Sequence, residues 1–246
     1  QYENPLGEGG ELLGVRIRRV HLEEDPGRLI HSPATSNQRP ASLVDFNRAG
    51  IPLMELVTEP DVKNADDAVK FAKELQLILR YLGISNADME KGQMRVEVNI
   101  SLSSNDEMGV KVEVKNINSF KAVKDAIDYE INRQEQAFVA GEKIIQETRG
   151  WDDVKKITKS QRIKESAHDY RYFPEPDLPP LEFSDAELEK IKLEVPELPE
   201  DKRSRLMKEF GFNREQAENI VSDRFAAQYF ESAASELLGF QPELTP

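Results

Sequence analysis

Cysteine is absent from all 246 residues, so the chain holds no disulfide framework, no thiolate zinc site and no cysteine nucleophile of its own. Histidine is scarce. Only His21, His31 and His168 occur, too few for a His-rich metal site, and a Ser-His-Asp triad would require nearly everything to converge by chance. No apolar run reaches membrane-spanning length and no charged, apolar, small-residue leader is seen, so neither a span nor an export signal is expected. Basic charge is in the minority, with 33 Lys and Arg against 46 Asp and Glu and a net charge of −13. That balance argues against a stand-alone nucleic-acid binder and leans toward cations or partners of opposite field.

What is present suffices for a real core, since 38% of the residues are hydrophobic and the length allows one large domain or two smaller ones. A reducing compartment fits the missing cysteine, cytoplasmic with an organellar matrix left open. The sequence begins at Gln1 without Met and ends at Pro246 just after a helical pattern, and it reads as a piece of a longer chain.

Residues 95–120, RVEVNISLSSNDEMGVKVEVKNINSF, hold the most informative pattern. Val96, Val98 and Ile100 alternate with Arg95, Glu97 and Asn99, and Val110, Val112 and Val114 alternate with Lys111, Glu113 and Lys115. A polar link ending in Gly109 joins them, so two antiparallel strands are expected, with one carboxylate apiece on the polar face. A solvated sheet face is the bland explanation.

Upstream, residues 11–25 begin as a strand and end in His21-Leu22-Glu23-Glu24-Asp25 before the turn Asp25-Pro26-Gly27. Short strands are expected over residues 43–47 and 51–58. Within the second, Glu55 interrupts an apolar run and must be exposed, paired or used. Asn64, with Asp67 three residues on, caps a helix that Gly83 stops, and a second long helix spans residues 120–140 up to Gly141.

Strand candidates at residues 144–149 and 156–164 follow, joined through Trp151-Asp152-Asp153; Lys155, Lys156, Lys159, Arg162 and Lys164 make the second the most basic stretch. The proline-rich run at residues 168–180 reads as an extended strap. Beyond it, Ser184 with Glu187 forms a capping box, and helical patterns near residues 201–210, 214–221 and 223–238 end in Gly211 and Gly239 where a stop is needed. The expected fold class is α+β, a mixed or antiparallel sheet domain with packed helices over residues 1–198, followed by the start of an all-helical domain at 199–246.

Three acids stand out: Glu24 at a strand end, and Glu97 and Glu113 on matching faces of two strands. Hard oxygen ligands without cysteine suit Mg²⁺, which takes a few carboxylates plus waters and substrate phosphates. Paired carboxylates also suit a glycosidase. There is no GxxxxGK[ST] phosphate loop, and Gly7, Gly9 and Gly10 do not make a dinucleotide fingerprint.

The run VDFNRAGIPLME through TEPD, together with HLEEDPG, RVEVNIS, VEVKNINSF, QETRGWD and HDYRYFPEPDLPPL, resembles the B subunit of the aspartyl/glutamyl-tRNA(Asn/Gln) amidotransferase. The motifs stand in the family's order and span nearly the whole chain to Pro180. The resemblance implies a cradle-shaped α/β domain using ATP and Mg²⁺, one carbon-nitrogen ligase component of a heterotrimer. Such a component phosphorylates the side-chain carboxylate of Glu-tRNA(Gln) or Asp-tRNA(Asn) and lets ammonia displace the phosphate. Ammonia would come from the amidase (glutaminase) partner, the A subunit, with the small C subunit completing the assembly. Matched motif by motif, Glu24, Glu97 and Glu113 fall on positions resembling metal ligands, while Arg95 and Lys115 lie where phosphate could be met.

Two departures from the family's pattern matter. Glu97 stands where Asp is common, and a Glu-x-His segment and a tRNA-binding tail fall outside this chain. Little activity is therefore expected of the polypeptide alone. A non-catalytic scaffold that binds the amidase is the alternative.

Overall fold

A computed structural model describes residues 4–32, 41–105, 107–163 and 179–240. The chain divides into two compact units, Gln1–Lys63 and Asn64–Pro246, and the fold is α+β. Residues 168–178 of the strap and the loop at 33–40 lie outside the described residues.

The first unit is built on strands. Two short strands, β1 (Gly7–Glu8) and β2 (Glu11–Leu12), precede β3 (Val15–Glu24), and β4 (Arg28–Ser32), β5 (Ala41–Asp45) and β6 (Pro52–Thr58) complete the set. β3 pairs antiparallel with β1, β2 and β6, while β4 and β5 form a separate two-stranded sheet. Alternation along β3 buries Val15 and His21 and exposes Arg16, Arg18, Leu22 and Glu24. The expected Asp25-Pro26-Gly27 turn is an irregular link from β3 to β4, in which the Gly27 amide donates to Asp25 Oδ1 at 2.9 Å. Gly27 has φ +95° and a Cβ there would stand 2.7 Å from the Asp45 carbonyl oxygen, so both the backbone angle and the close approach demand glycine. β4 carries no strong sequence signal, because its order of residues does not alternate cleanly.

The second unit opens with α1 (Ala65–Tyr81), then β7 (Val96–Ile100), β8 (Val112–Ile117), α2 (Phe120–Val139), β9 (Glu147–Asp152) and β10 (Ile157–Ile163). Four helices follow: α3 (Asp185–Glu194), α4 (Pro199–Phe210), α5 (Arg214–Val221) and α6 (Arg224–Phe240). The sheet order is β10-β9-β8-β7, with β7 antiparallel and β9 parallel to β8. A parallel pair needs a crossover, and α2 supplies it. Its apolar stripe, Val123, Ala126 and Ile127, packs with Val114, Ile117 and Trp151 as one core. Each valine or isoleucine of this set, fully buried, contributes about 1.5–3 kcal/mol.

The helix caps follow the sequence closely. Asn64 Oδ1 accepts from the Asp67 amide, Ser119 Oγ accepts from the Ala122 amide, and Ser184 with Glu187 closes a capping box. Gly211 ends α4 in the left-handed conformation. Gly239 does not end α6, which runs through it to Phe240; a helical glycine costs only about 1 kcal/mol, which the neighbouring turns absorb.

The strand expected at residues 144–149 is displaced to Glu147–Asp152. Pairing with β8 and the burial of Trp151 decide its position, so Trp151 lies in the strand rather than in the connection. Likewise β8 starts at Val112 and leaves Val110 exposed.

Buried polar groups knit this unit together. Glu130, fully buried on α2, accepts from Arg133, Gln134 and Thr158. Arg149 reaches down from β9 to Glu147 and Thr158. Further on, Arg203 of α4 is 1% exposed and grips both carboxylate oxygens of Glu74 on α1, and the Tyr81 hydroxyl donates to the Val221 carbonyl at 2.9 Å.

Candidate functional site

Two adjacent strands present the polar face that the alternation of residues 95–120 predicts. On β7 the valines turn inward and Glu97 and Asn99 outward; on β8 Val112 and Val114 are fully buried while Glu113 and Lys115 stand on the open side. Asn99 lies directly opposite Glu113 in the ladder. The register shifts between Val96 and Val98, and Asn116 takes φ +65°. At this bulge both Lys115 and Asn116 stay off the core before Ile117 returns to it.

Lys115 is the centre of the arrangement. Its Nζ stands 3.2 Å from Glu97 Oε2 and 3.3 Å from Glu113 Oε1. Burial alone would depress this ammonium, but Glu97 and Glu113 together hold its pKa above the ordinary lysine value. Glu113 is anchored further: Thr148 Oγ1, on the neighbouring β9, donates to its Oε2 at 2.9 Å. The Glu113 side chain retains 14% exposure, whereas that of Glu97 retains 47%. Arg95 sits just before β7 and is exposed.

The first unit carries a second set of donors. His21 is buried, and its Nε2 lies 3.1 Å from Glu23 Oε1 and 3.7 Å from Glu55 Oε2. One ligand atom from each of the three residues falls within 4.8 Å of the others. The β3–β6 register causes this, for His21 faces Glu55 directly across the ladder. Glu23, two residues along, shares the face of His21. Glu24, chosen from the sequence, is the last residue of β3; it is exposed, lies opposite Pro52 and points to the other face.

Glu23 and Glu55 were thus missed as donors in the sequence. Period-two alternation from His21 would have selected Glu23, and the carboxylate inside the apolar run already marked Glu55 as unusual. Their convergence needed the cross-strand register.

Both donor sets have the chemistry for a divalent cation. Glu97 and Glu113 offer hard carboxylate oxygens of the kind that Mg²⁺ takes, and they already face one cationic group together. The His21 set mixes one imidazole with two carboxylates, which suits a transition metal as well.

Two lysines of the basic stretch at residues 155–164 are paired with nearby acids. Lys156 pairs with Asp153 and Asp125, and Lys159 with Asp152. No helix among the described residues is long and apolar enough to cross a membrane.

Comparison with known proteins agrees with the motifs. Residues 1–189 match the family model described as the GatB/GatE catalytic domain. The B subunit of the aspartyl/glutamyl-tRNA(Asn/Gln) amidotransferase from Thermodesulfovibrio yellowstonii is 46% identical over 99% of this chain and 52% of its own length. The protein of the same name from Thermosipho melanesiensis is 47% identical over 96% of this chain and 51% of its own length. One from Roseiflexus sp. (strain RS-1) is 44% identical over 99% and 51% respectively. The chain spans about half the length of the curated relatives it matches. On the family model and these identities together, the chain belongs to the GatB/GatE catalytic-domain family.

Proposed function

We propose that this chain is the ATP-using portion of a tRNA-dependent amidotransferase, acting on Glu-tRNA(Gln) or Asp-tRNA(Asn). The γ-phosphoryl group passes from ATP to a side-chain carboxylate oxygen, releasing ADP. Ammonia from the amidase partner, the A subunit, then attacks the acyl carbon, inorganic phosphate leaves, and a proton is lost as the amide forms. The small C subunit completes the proposed assembly. The relatives' names support the general reading, and the glycosidase alternative has no comparable support.

The observation that carries the finer reading is the meeting of Glu97 and Glu113 on Lys115. Phosphoryl transfer asks a protein mainly for positioning and for charge to be stabilised. A face with two carboxylates and a fixed ammonium supplies both. In this proposal Glu97 and Glu113 hold Mg²⁺, which supplies neutralising charge to phosphate oxygens when bound. Lys115, kept protonated by its neighbours, and the exposed Arg95 meet the phosphates. Glu24 stays a proposed ligand on its match to the HLEEDPG motif.

Calorimetric titration of the chain with Mg²⁺ and ATP tests the assignment. Nucleotide binding that disappears in Glu113→Gln supports it. An absence of nucleotide affinity, alongside intact binding to the amidase partner, supports a non-catalytic scaffold instead.

A further inference from the structure

Thr148 lies beside the proposed cation-binding face, and its Oγ1 donates to Glu113 Oε2 at 2.9 Å. We infer that Thr148 is a positioning residue that locks the Glu113 carboxylate, tying down Oε2 so that Oε1 stays turned toward Lys115 and the cation-binding face. The inference rests on the proposal that Glu113 is a cation ligand.

The two ends of the contact are held very differently from an ordinary surface pair. Thr148 is buried to 7% exposure, and it lies directly opposite Glu113 in the parallel pairing of β8 with β9. A threonine χ1 on a strand has few choices, which fixes where the hydroxyl oxygen sits.

The strand beneath it is pinned from the other side. Arg149, the next residue, points away from the open face and donates to Glu147 Oε1 at 2.6 Å, to Thr158 Oγ1 at 2.7 Å and to the Thr158 carbonyl at 2.9 Å. Thr158 in turn donates to buried Glu130 at 3.0 Å. β9 therefore has little freedom to slide, and the Thr148 hydroxyl is delivered to a fixed place.

Glu113 is the residue that gains from this. A glutamate has three side-chain torsions and samples many orientations unless something holds its head group. Of the two acids on this face, Glu97 touches Lys115 through one oxygen, while Glu113 has both oxygens engaged, one by Lys115 and one by Thr148. Donors that orient a ligating group act on metal affinity even though they never touch the metal. Thr148 fits that role because its single proton goes to one oxygen and leaves the other facing the site.

The test uses Mn²⁺ as a paramagnetic stand-in for Mg²⁺ and measures its dissociation constant by electron paramagnetic resonance on the whole chain. A Glu23→Gln/Glu55→Gln background removes both carboxylates of the second donor set. Thr148→Val, which deletes the hydroxyl at nearly constant shape, is expected to weaken Mn²⁺ binding about tenfold, within the loss usual for outer-shell partners. Thr148→Ser, which keeps the hydroxyl, is expected to bind within about twofold of the Thr148 chain, with both variants melting near the parent temperature. Rescue by serine at unchanged stability separates positioning from a packing role.

If Glu113→Gln loses Mn²⁺ while Thr148→Val binds as the parent does, the role of Thr148 is overturned and that of Glu113 stands. If Glu113→Gln itself binds unchanged, or the background chain binds no Mn²⁺, the assignment of Glu113 fails and the inference falls with it.

Discussion

The Lys115 ammonium lies 3.3 Å from Glu113 Oε1, so a cationic group already occupies the side of the carboxylate that a divalent cation would use. Replacing Lys115 with Met removes the competitor and, under the proposed function, the phosphate contact with it. Mn²⁺ affinity of the chain is expected to rise about tenfold, after discounting the Coulomb attraction for partial solvent exposure. ATP affinity is expected to fall. Calorimetry on one sample reads both, and a parallel loss of the two affinities would contradict Lys115 acting as an internal counter-ion.

Glu130 serves several cations and donors at once under complete burial. Glu130→Ala leaves Arg133 and the Arg149–Thr158 pair without their shared acceptor, which is expected to cost about 3–5 kcal/mol. Urea denaturation measures it. A loss below about 1 kcal/mol would mean that water replaces the carboxylate at little cost.

Tyr81 caps the last carbonyl of α5 from the end of α1, and burial pushes its phenol pKa up to about 12. Tyr81→Phe keeps the ring in the cluster with Leu77, Leu206 and Val221 while abandoning the carbonyl. The expected cost is about 1–2 kcal/mol, read as a lower melting temperature.

Glu197 is held down at about 2, from an ordinary 4.5, by its hydrogen bonds with Arg205 and then Lys202. Its folded pKa is below its unfolded one, so on acidification the unfolded chain takes up the proton first. The stabilisation is complete above the unfolded value and is lost as pH falls from about 4.5 toward about 2. Glu197→Gln should lower the melting temperature at neutral pH and flatten its decline across that window. An equally steep decline in the variant would assign the acid sensitivity to other carboxylates.

Local signals carried a large part of this protein. The alternating valines flanking Glu97 and Glu113, the capping residues Asn64 and Ser184, and the positive-φ glycine Gly27 each act through their own backbone neighbours. For such features, period and side-chain chemistry are enough. The motifs likewise located the family from residue order alone.

Pairing across the chain was a different matter. Glu55 sits 34 positions from His21 in numbering, and only the β3–β6 register brings them face to face. The partner of Glu113 was equally hidden, since Thr148 comes from a strand whose sequence pattern suggested an earlier start. Its place was set by parallel pairing with β8 and by the core's demand for Trp151.

By itself, then, the sequence determined which faces are polar, where the helices begin and which residues carry acid or base, because these depend on contacts within a few residues. Only the tertiary structure decided which acids meet, which lysine lies between them and which hydroxyl holds one in place. Strand register is chosen by the burial of distant side chains, and a shift of one residue would turn every one of those groups to the other face.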